Sequence, residues 1–110
     1  MIQRTYVIQV FVLAVSLTFK DLEQRDKWVA AWLPMVDQVR ANEPGTLSYE
    51  LCIGDTEPLK ALVYERYVDR AAYEDVHRTS EAMAAFKEVT SKIKMQVQGQ
   101  SYVETNHGFM

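Results

Sequence analysis

An α+β fold of the ferredoxin-like class is what the sequence predicts: a split βαβ pattern (βαββαβ) built on an antiparallel sheet. Three observations carry this. Residues 5–17 are dense in Val, Leu, Ile and Phe. Leu22, Trp28, Trp32, Val36 and Val39 recur at helical spacing. Two alternating segments, TLSYELCI and ALVYERYV, are joined by the polar turn GDTEPLK.

The first strand, residues 5–17, is largely apolar on both alternating sets, so both of its faces should be covered. Residues 21–42 follow as an amphipathic helix with Glu23, Gln24, Lys27, Asp37 and Arg40 around its polar side. Pro34 lies within it; proline lacks the amide hydrogen and crowds the preceding turn, which predicts a kink or restart near Leu33. The run NEPG at 42–45 stops the helix. The second strand sets Leu47, Tyr49, Leu51 and Ile53 against Ser48, Glu50 and Cys52, and pairs with residues 61–68 as a hairpin. Asp69 is placed to cap a helix at 70–77. Ser80 is placed to cap another that carries Met83, Phe86 and Ile93 and reaches towards Val97 before Gly99 closes it. Residues 100–106 form the last strand, ahead of the tail HGFM.

The 110 residues make a single domain, 1–110, whose 48% hydrophobic share suits a globular chain rather than a disordered one. A net charge of −3 with no basic cluster argues against nucleic acid as a partner. The single cysteine, Cys52, forms no intramolecular disulfide and no structural metal site by itself, and fits a reducing, cytoplasmic setting. Arg4 ahead of an apolar run resembles a short secretory leader, but Gln9 and Ser16 interrupt it. No apolar run approaches the roughly 18 residues of a membrane span, so no membrane association is expected. Glycines are few and never in G-x-G order, which leaves no cradle for a dinucleotide or phosphate. His77 and His107 lie far apart with no Cys or acid at ligand spacing, so no metal is expected. A Ser or Cys nucleophile flanked by a base is not visible.

An antiparallel sheet with both helices on one side leaves its other face bare. The third strand offers Val63 and Tyr67 on one face and Leu62 and Tyr64 on the other, so a homodimer with sheets packed face to face would satisfy both sets. Glu65 shares the face of Val63 and Tyr67, where a charge is costly unless paired; it either meets a cation, with Arg4 and Lys60 as candidates, or carries a raised pKa. His77 is the best candidate base, because imidazole titrates near neutrality; the bland alternative is a helix-end histidine held by water or a nearby acid. Tyr49, Tyr67, Trp28 and Trp32 supply flat walls for a planar substrate, although aromatics at strand and helix spacing also build cores. Tyr64 or Tyr73 can hold a substrate oxygen that becomes an anion, and Arg66, with Arg70 and Arg78, can receive an anionic group.

EPGTLSYEL, followed some residues later by LVYERYVDRAAYEDVHRTSEAMAAF, resembles the antibiotic biosynthesis monooxygenase family of dimeric α+β barrels. The similarity runs from about Val7 to the final strand. Glu43, Pro44 and Gly45 match the family's turn, Tyr64 and Glu65 its aromatic and acid, Tyr67 the place of a frequent Trp, and His77 the first of two histidines; Ala82 replaces the second. The resemblance implies a homodimeric enzyme acting on a small aromatic or hydrophobic substrate, a phenol, anthrone or quinol, with dioxygen as co-substrate and no cofactor. His77 would be the base, Tyr64 or Tyr73 the anion-holding hydroxyl and Glu65 the orienting acid. An isomerase of a small carbonyl or phosphorylated compound and a non-catalytic, hydrophobe-binding dimer stand beside it. In haem-degrading relatives an iron-binding histidine stands where this chain has Phe86, so haem is not expected.

Overall fold

The computed structural model describes residues 9–110. In chain order they form β1 (Phe11–Phe19), α1 (Leu22–Asn42), β2 (Thr46–Ile53), β3 (Lys60–Tyr67), a π-helical turn (Ala72–His77), α2 (Glu81–Thr90) and β4 (Met95–Val103). The strands make one antiparallel sheet in the order β2-β3-β1-β4. Trp28, Trp32, Met35 and Val39 of α1 and Phe86 of α2 form the main core against Leu17, Phe19, Ala61 and Val63 of the sheet. This is the ferredoxin-like α+β fold expected from the element order. Among the described residues no helix is long and apolar enough to cross a membrane.

The element boundaries follow local chemistry. Residues 5–8 of the expected first strand lie outside the described residues; the described strand runs on to Phe19, whose N–H donates to the Leu59 carbonyl at 2.8 Å. Asp21 caps α1 by accepting from the Gln24 N–H at 2.9 Å. The helix then continues through Pro34 with no restart. Pro34 and Ala30, whose carbonyl loses its amide partner, both lie on the exposed side, where water can replace the missing bond. Asp69 and Ser80 cap as expected, accepting from the N–H groups of Ala72 at 2.8 Å and Met83 at 3.1 Å.

Two expectations near the C-terminus are corrected. The second helix ends at Thr90, and the chain turns through Ser91 to Lys94 rather than continuing to Val97. The last strand starts at Met95 and ends at Val103, instead of occupying 100–106. Met95 and Val97 fit a period of two as well as a helical period, and the free edge of β1 offers them nine consecutive partners, from Phe11 to Phe19. Gly99 is therefore a mid-strand residue opposite Val15, not a helix stop.

Register divides the sheet into two faces. Leu13, Glu65 and Tyr49 align across β1, β3 and β2, and Val15, Val63 and Leu51 align beside them, on the side of the helices. Ala14, Tyr64 and Glu50, with Val12, Arg66 and Ser48, face the opposite way. That second face is only partly covered: Val12 is buried between its partners Arg66 and Tyr102, whereas Ser16 is exposed. The expectation that β1 is covered on both sides thus holds at one end of the strand only.

Gly45 brings the turn after α1 against the π-helical turn. Its carbonyl accepts from the Val68 N–H at 2.9 Å, and a Cβ at this position would stand 2.9 Å from the Ala72 Cβ. Gly45→Ala should therefore destabilise the fold by about 1–3 kcal/mol through overpacking. Urea unfolding checks this, and an unchanged midpoint would show that the turn has room to give.

Candidate functional site

The site forms where three chain segments meet on the helix side of the sheet. The first is the turn after α1. The Glu43 N–H donates to the Val39 carbonyl at 3.0 Å, ending the helix, and Thr46 returns its own N–H to the Glu43 carbonyl at 3.0 Å. These bonds fold the Glu43 side chain inward, where the Thr46 hydroxyl donates to its Oε1 at 3.1 Å. The second segment is the π-helical turn, in which the Arg78 N–H reaches back five residues to the Tyr73 carbonyl at 2.8 Å. The wider turn carries His77 into the interior, where it is fully buried. The third is the β2–β3 pair, which presents Tyr49, Glu65 and Tyr67 on this face.

These side chains form two hydrogen-bonded sets. His77 Nδ1 lies 2.9 Å from Glu43 Oε1, and His77 Nε2 lies 3.0 Å from the Tyr49 hydroxyl. A carboxylate oxygen only accepts, so Nδ1 carries the hydrogen, and Nε2 accepts from the Tyr49 O–H. In the second set the Tyr67 hydroxyl donates to Glu65 Oε1 two residues away on the same strand face. Among the described residues no buried side-chain nitrogen or oxygen lacks a partner. No three His, Cys, Asp or Glu side chains among them converge as a metal site would require.

Burial decides the protonation states. It pushes the Glu65 carboxyl up to about 7; the Tyr67 hydrogen bond opposes this and the Glu43 charge adds to it. Burial also lowers the pKa of His77 below the ordinary imidazole value, outweighing the Glu43 carboxylate, so at neutral pH the ring is uncharged and able to take a proton. The Tyr49 and Tyr67 hydroxyls are raised far above the usual phenol range, first by burial and then by the Glu65 charge. Both are therefore donors at any working pH.

Aromatic rings enclose the polar atoms. Trp28 stacks on Trp32 at 5.4 Å, Trp32 on Tyr49 at 4.8 Å and 3°, and Tyr49 meets His77 edge-on at 4.9 Å. Tyr73 packs on Tyr67 at 5.4 Å and on Phe11 at 5.7 Å. Phe86 stands edge-on to Trp28 at 5.2 Å within the same core. A cleft of about 180 Å³ opens between Val36, Val39 and Arg40 of α1 and residues 46–48 of β2, and Tyr49 lines it. This is below the roughly 300 Å³ at which ordinary ligand pockets begin, so a ring-sized guest enters only as side chains there move aside.

The chain matches the sequence profile described as antibiotic biosynthesis monooxygenase over residues 11–89. The chain belongs to the antibiotic biosynthesis monooxygenase family. Solved structures agree in fold. A protein from Nitrosomonas europaea, provisionally named an antibiotic biosynthesis monooxygenase, superposes with a TM-score of 0.80 at 16% identity, over 94% of this chain and 98% of its own. One with the same provisional name from Caulobacter crescentus gives 0.70 at 22%, over 88% and 93%. Protein SO0527 from Shewanella oneidensis gives 0.69 at 26%, over 88% and 94%. No functionally curated protein gives a significant match to the sequence.

Within this monooxygenase-family fold, the structure brings together most of the residues singled out from sequence: His77, Glu65, Tyr73, Tyr49, Tyr67 and Trp32 lie in one connected cluster, with Trp28 stacked behind Trp32. It does not bring Tyr64 and Arg66 there. Strand alternation turns both to the opposite face, where Arg66 pairs with both carboxylate oxygens of Glu104 at 2.6 and 2.9 Å. Arg70 lies over the Phe11 ring at 4.9 Å, outside the polar cluster. Of the two cations suggested for Glu65, Lys60 pairs with Glu57 at 3.3 Å instead, and Arg4 lies outside the described residues. Sequence reasoning gave Glu43 no chemical role; EPG reads as a turn, and only its fixed geometry reveals a carboxylate aimed at His77.

The raised Glu65 carboxyl has a testable consequence. The folded state holds this proton more tightly than the unfolded chain, so the associated stability is complete below pH 4.5 and is lost as pH rises through about 7. Glu65→Gln removes that dependence. Relative to wild type, the variant's unfolding free energy should rise by on the order of 3 kcal/mol from pH 4.5 to about 8, by urea titration at each pH. A difference that stays flat with pH would show Glu65 to be an ordinary carboxylate.

Proposed function

We propose that the chain is a cofactor-independent monooxygenase acting on a small aromatic substrate of the phenol, anthrone or quinol type, with dioxygen as co-substrate. The observation that carries this reading is the uncharged His77, held at 2.9 Å by Glu43 inside stacked aromatic walls. An electron-rich ring deprotonated in such a site gives an anion able to pass an electron to dioxygen, so the protein has to supply only a base, a hydroxyl for the developing oxyanion and a dry enclosure. For an anthrone the balance is one methylene and one dioxygen giving one carbonyl and one water. His77 is the base, and the aromatic rings around it are the walls. Tyr73, whose ring lies 6.3 Å from that of His77, is the anion-holding hydroxyl, and Glu65 orients Tyr67 beside it.

The chain acts as a homodimer in this reading, because the second sheet face and the edge of β4 leave Leu62, Val97 and Tyr102 exposed. Tyr64 and Arg66 then belong to the surface between subunits. A specific observation also favours an isomerase: Glu65, a carboxyl with a pKa of about 7, is bonded to Tyr67, whose ring lies 5.7 Å from that of the uncharged His77, and such a pair of groups can protonate one carbon while deprotonating its neighbour. Oxygen dependence separates the two.

Purified, metal-free protein should consume oxygen above the autoxidation rate with at least one member of a panel of anthrones and quinols. His77→Ala should lower that rate by about 100-fold or more. Uptake equal to background across the panel, with isomerisation of a small enolisable ketone instead, would replace the oxygenase reading.

A further inference from the structure

We propose that the Tyr49 hydroxyl is the group that meets the substrate, that His77 receives the substrate's proton through it, and that Glu43 is the positioning residue that keeps the imidazole in its accepting tautomer. This rests on the oxygenase reading above and adds the route of the proton.

Neither ring nitrogen of His77 is free. Nδ1 is committed to Glu43 at 2.9 Å, and the Nε2 lone pair is committed to the Tyr49 hydroxyl at 3.0 Å. The ring itself has no exposed surface. Direct contact between substrate and imidazole would require expelling Tyr49, which is pinned face to face on Trp32 at 4.8 Å, itself stacked on Trp28. Access follows the same order. Glu43, Glu65, Tyr67 and His77 are all buried, while Tyr49 is half-buried and lines the cleft between α1 and β2. None of those four lines the cleft, so Tyr49 is the member of the cluster that a molecule entering there can meet.

The step balances. The substrate C–H or O–H gives its proton to Tyr49 Oη as the Tyr49 hydroxyl proton passes to His77 Nε2, leaving a substrate anion, a neutral tyrosine and an imidazolium. The positive ring forms next to Glu43, so the buried charge appears already paired. No tyrosinate accumulates, which suits a phenol whose ionisation is opposed by burial and by the Glu65 charge. Glu65, Tyr73 and Lys87 are the other titratable groups acting on this path. After the anion has reacted with dioxygen, the imidazolium returns its proton through Tyr49 to the peroxide.

The test separates proton transfer from oxidation. Under anaerobic conditions in heavy water, an anthrone should acquire deuterium at its acidic carbon with the wild type; in air, oxygen uptake gives kcat and KM. Tyr49→Phe should lower both deuterium entry and kcat by about 100-fold, with KM changed less than about threefold and the unfolding midpoint retained. Glu43→Gln should lower kcat and move the acid limb of the pH profile to lower pH, since His77 loses the charge that opposes its burial; Glu43→Asp should restore part of both. A folded Tyr49→Phe enzyme with full deuterium entry, beside an inactive His77→Gln, would overturn the relay while leaving the oxygenase reading intact. Deuterium entry without oxygen uptake in the wild type would overturn the oxygenase reading and keep the relay. Neither signal in the wild type would overturn both.

Discussion

The bond between Glu43 and His77 is the contact on which the rest of the site depends. It joins the turn that ends α1 to the π-helical turn after β3, across 34 residues of sequence. A buried hydrogen bond to a charged group contributes about 1.5–3 kcal/mol, but its larger effect here is to fix direction. With Nδ1 occupied, the imidazole can present only an acceptor at Nε2, and Tyr49 is the group placed to meet it. Gly45 makes the approach possible, because any larger residue would push the Glu43 turn away from Ala72. Backbone packing thus sets a tautomer.

The electrostatics of the cluster follow from its composition. Two carboxyl groups and an imidazole are buried together, and no Lys or Arg side chain among the described residues is paired with either carboxyl. Such a group of charges resolves itself by neutralisation. Glu65 retains its proton up to about pH 7, while His77 gives its proton up. The Glu43 carboxyl lies 2.9 Å from His77 Nδ1, where it stabilises a proton on the ring. Trp32, stacked on Trp28, holds the Tyr49 ring in place, and the burial of Glu43, Glu65 and His77 strengthens each of these interactions.

The fold was legible because its signals are local and repetitive. Asp69 and Ser80 cap where capping chemistry predicts, and β2 occupies the residues its alternation marks out. The failures came where one pattern served two structures. Met95 and Val97 suit a helix as well as a strand, and only the unpaired edge of β1 decides between them. Strand parity already set Tyr64 opposite Tyr67, and the structure keeps it there, away from the residues with which a catalytic role would group it. Glu43 was out of reach for a different reason. It lies 34 residues from His77 in sequence, inside a motif whose turn function explains it fully, and the π-helical turn that rotates His77 inward leaves no compositional mark.

The central claim is an uncharged His77 carrying its hydrogen on Nδ1, and nitrogen-15 NMR of the imidazole ring tests it most directly. At neutral pH the account predicts a protonated Nδ1 and a bare, hydrogen-bonded Nε2, a pattern that persists on acidification below the ordinary imidazole pKa of about 6.5. Two protonated nitrogens at neutral pH, or averaged shifts from exchanging tautomers, would contradict it.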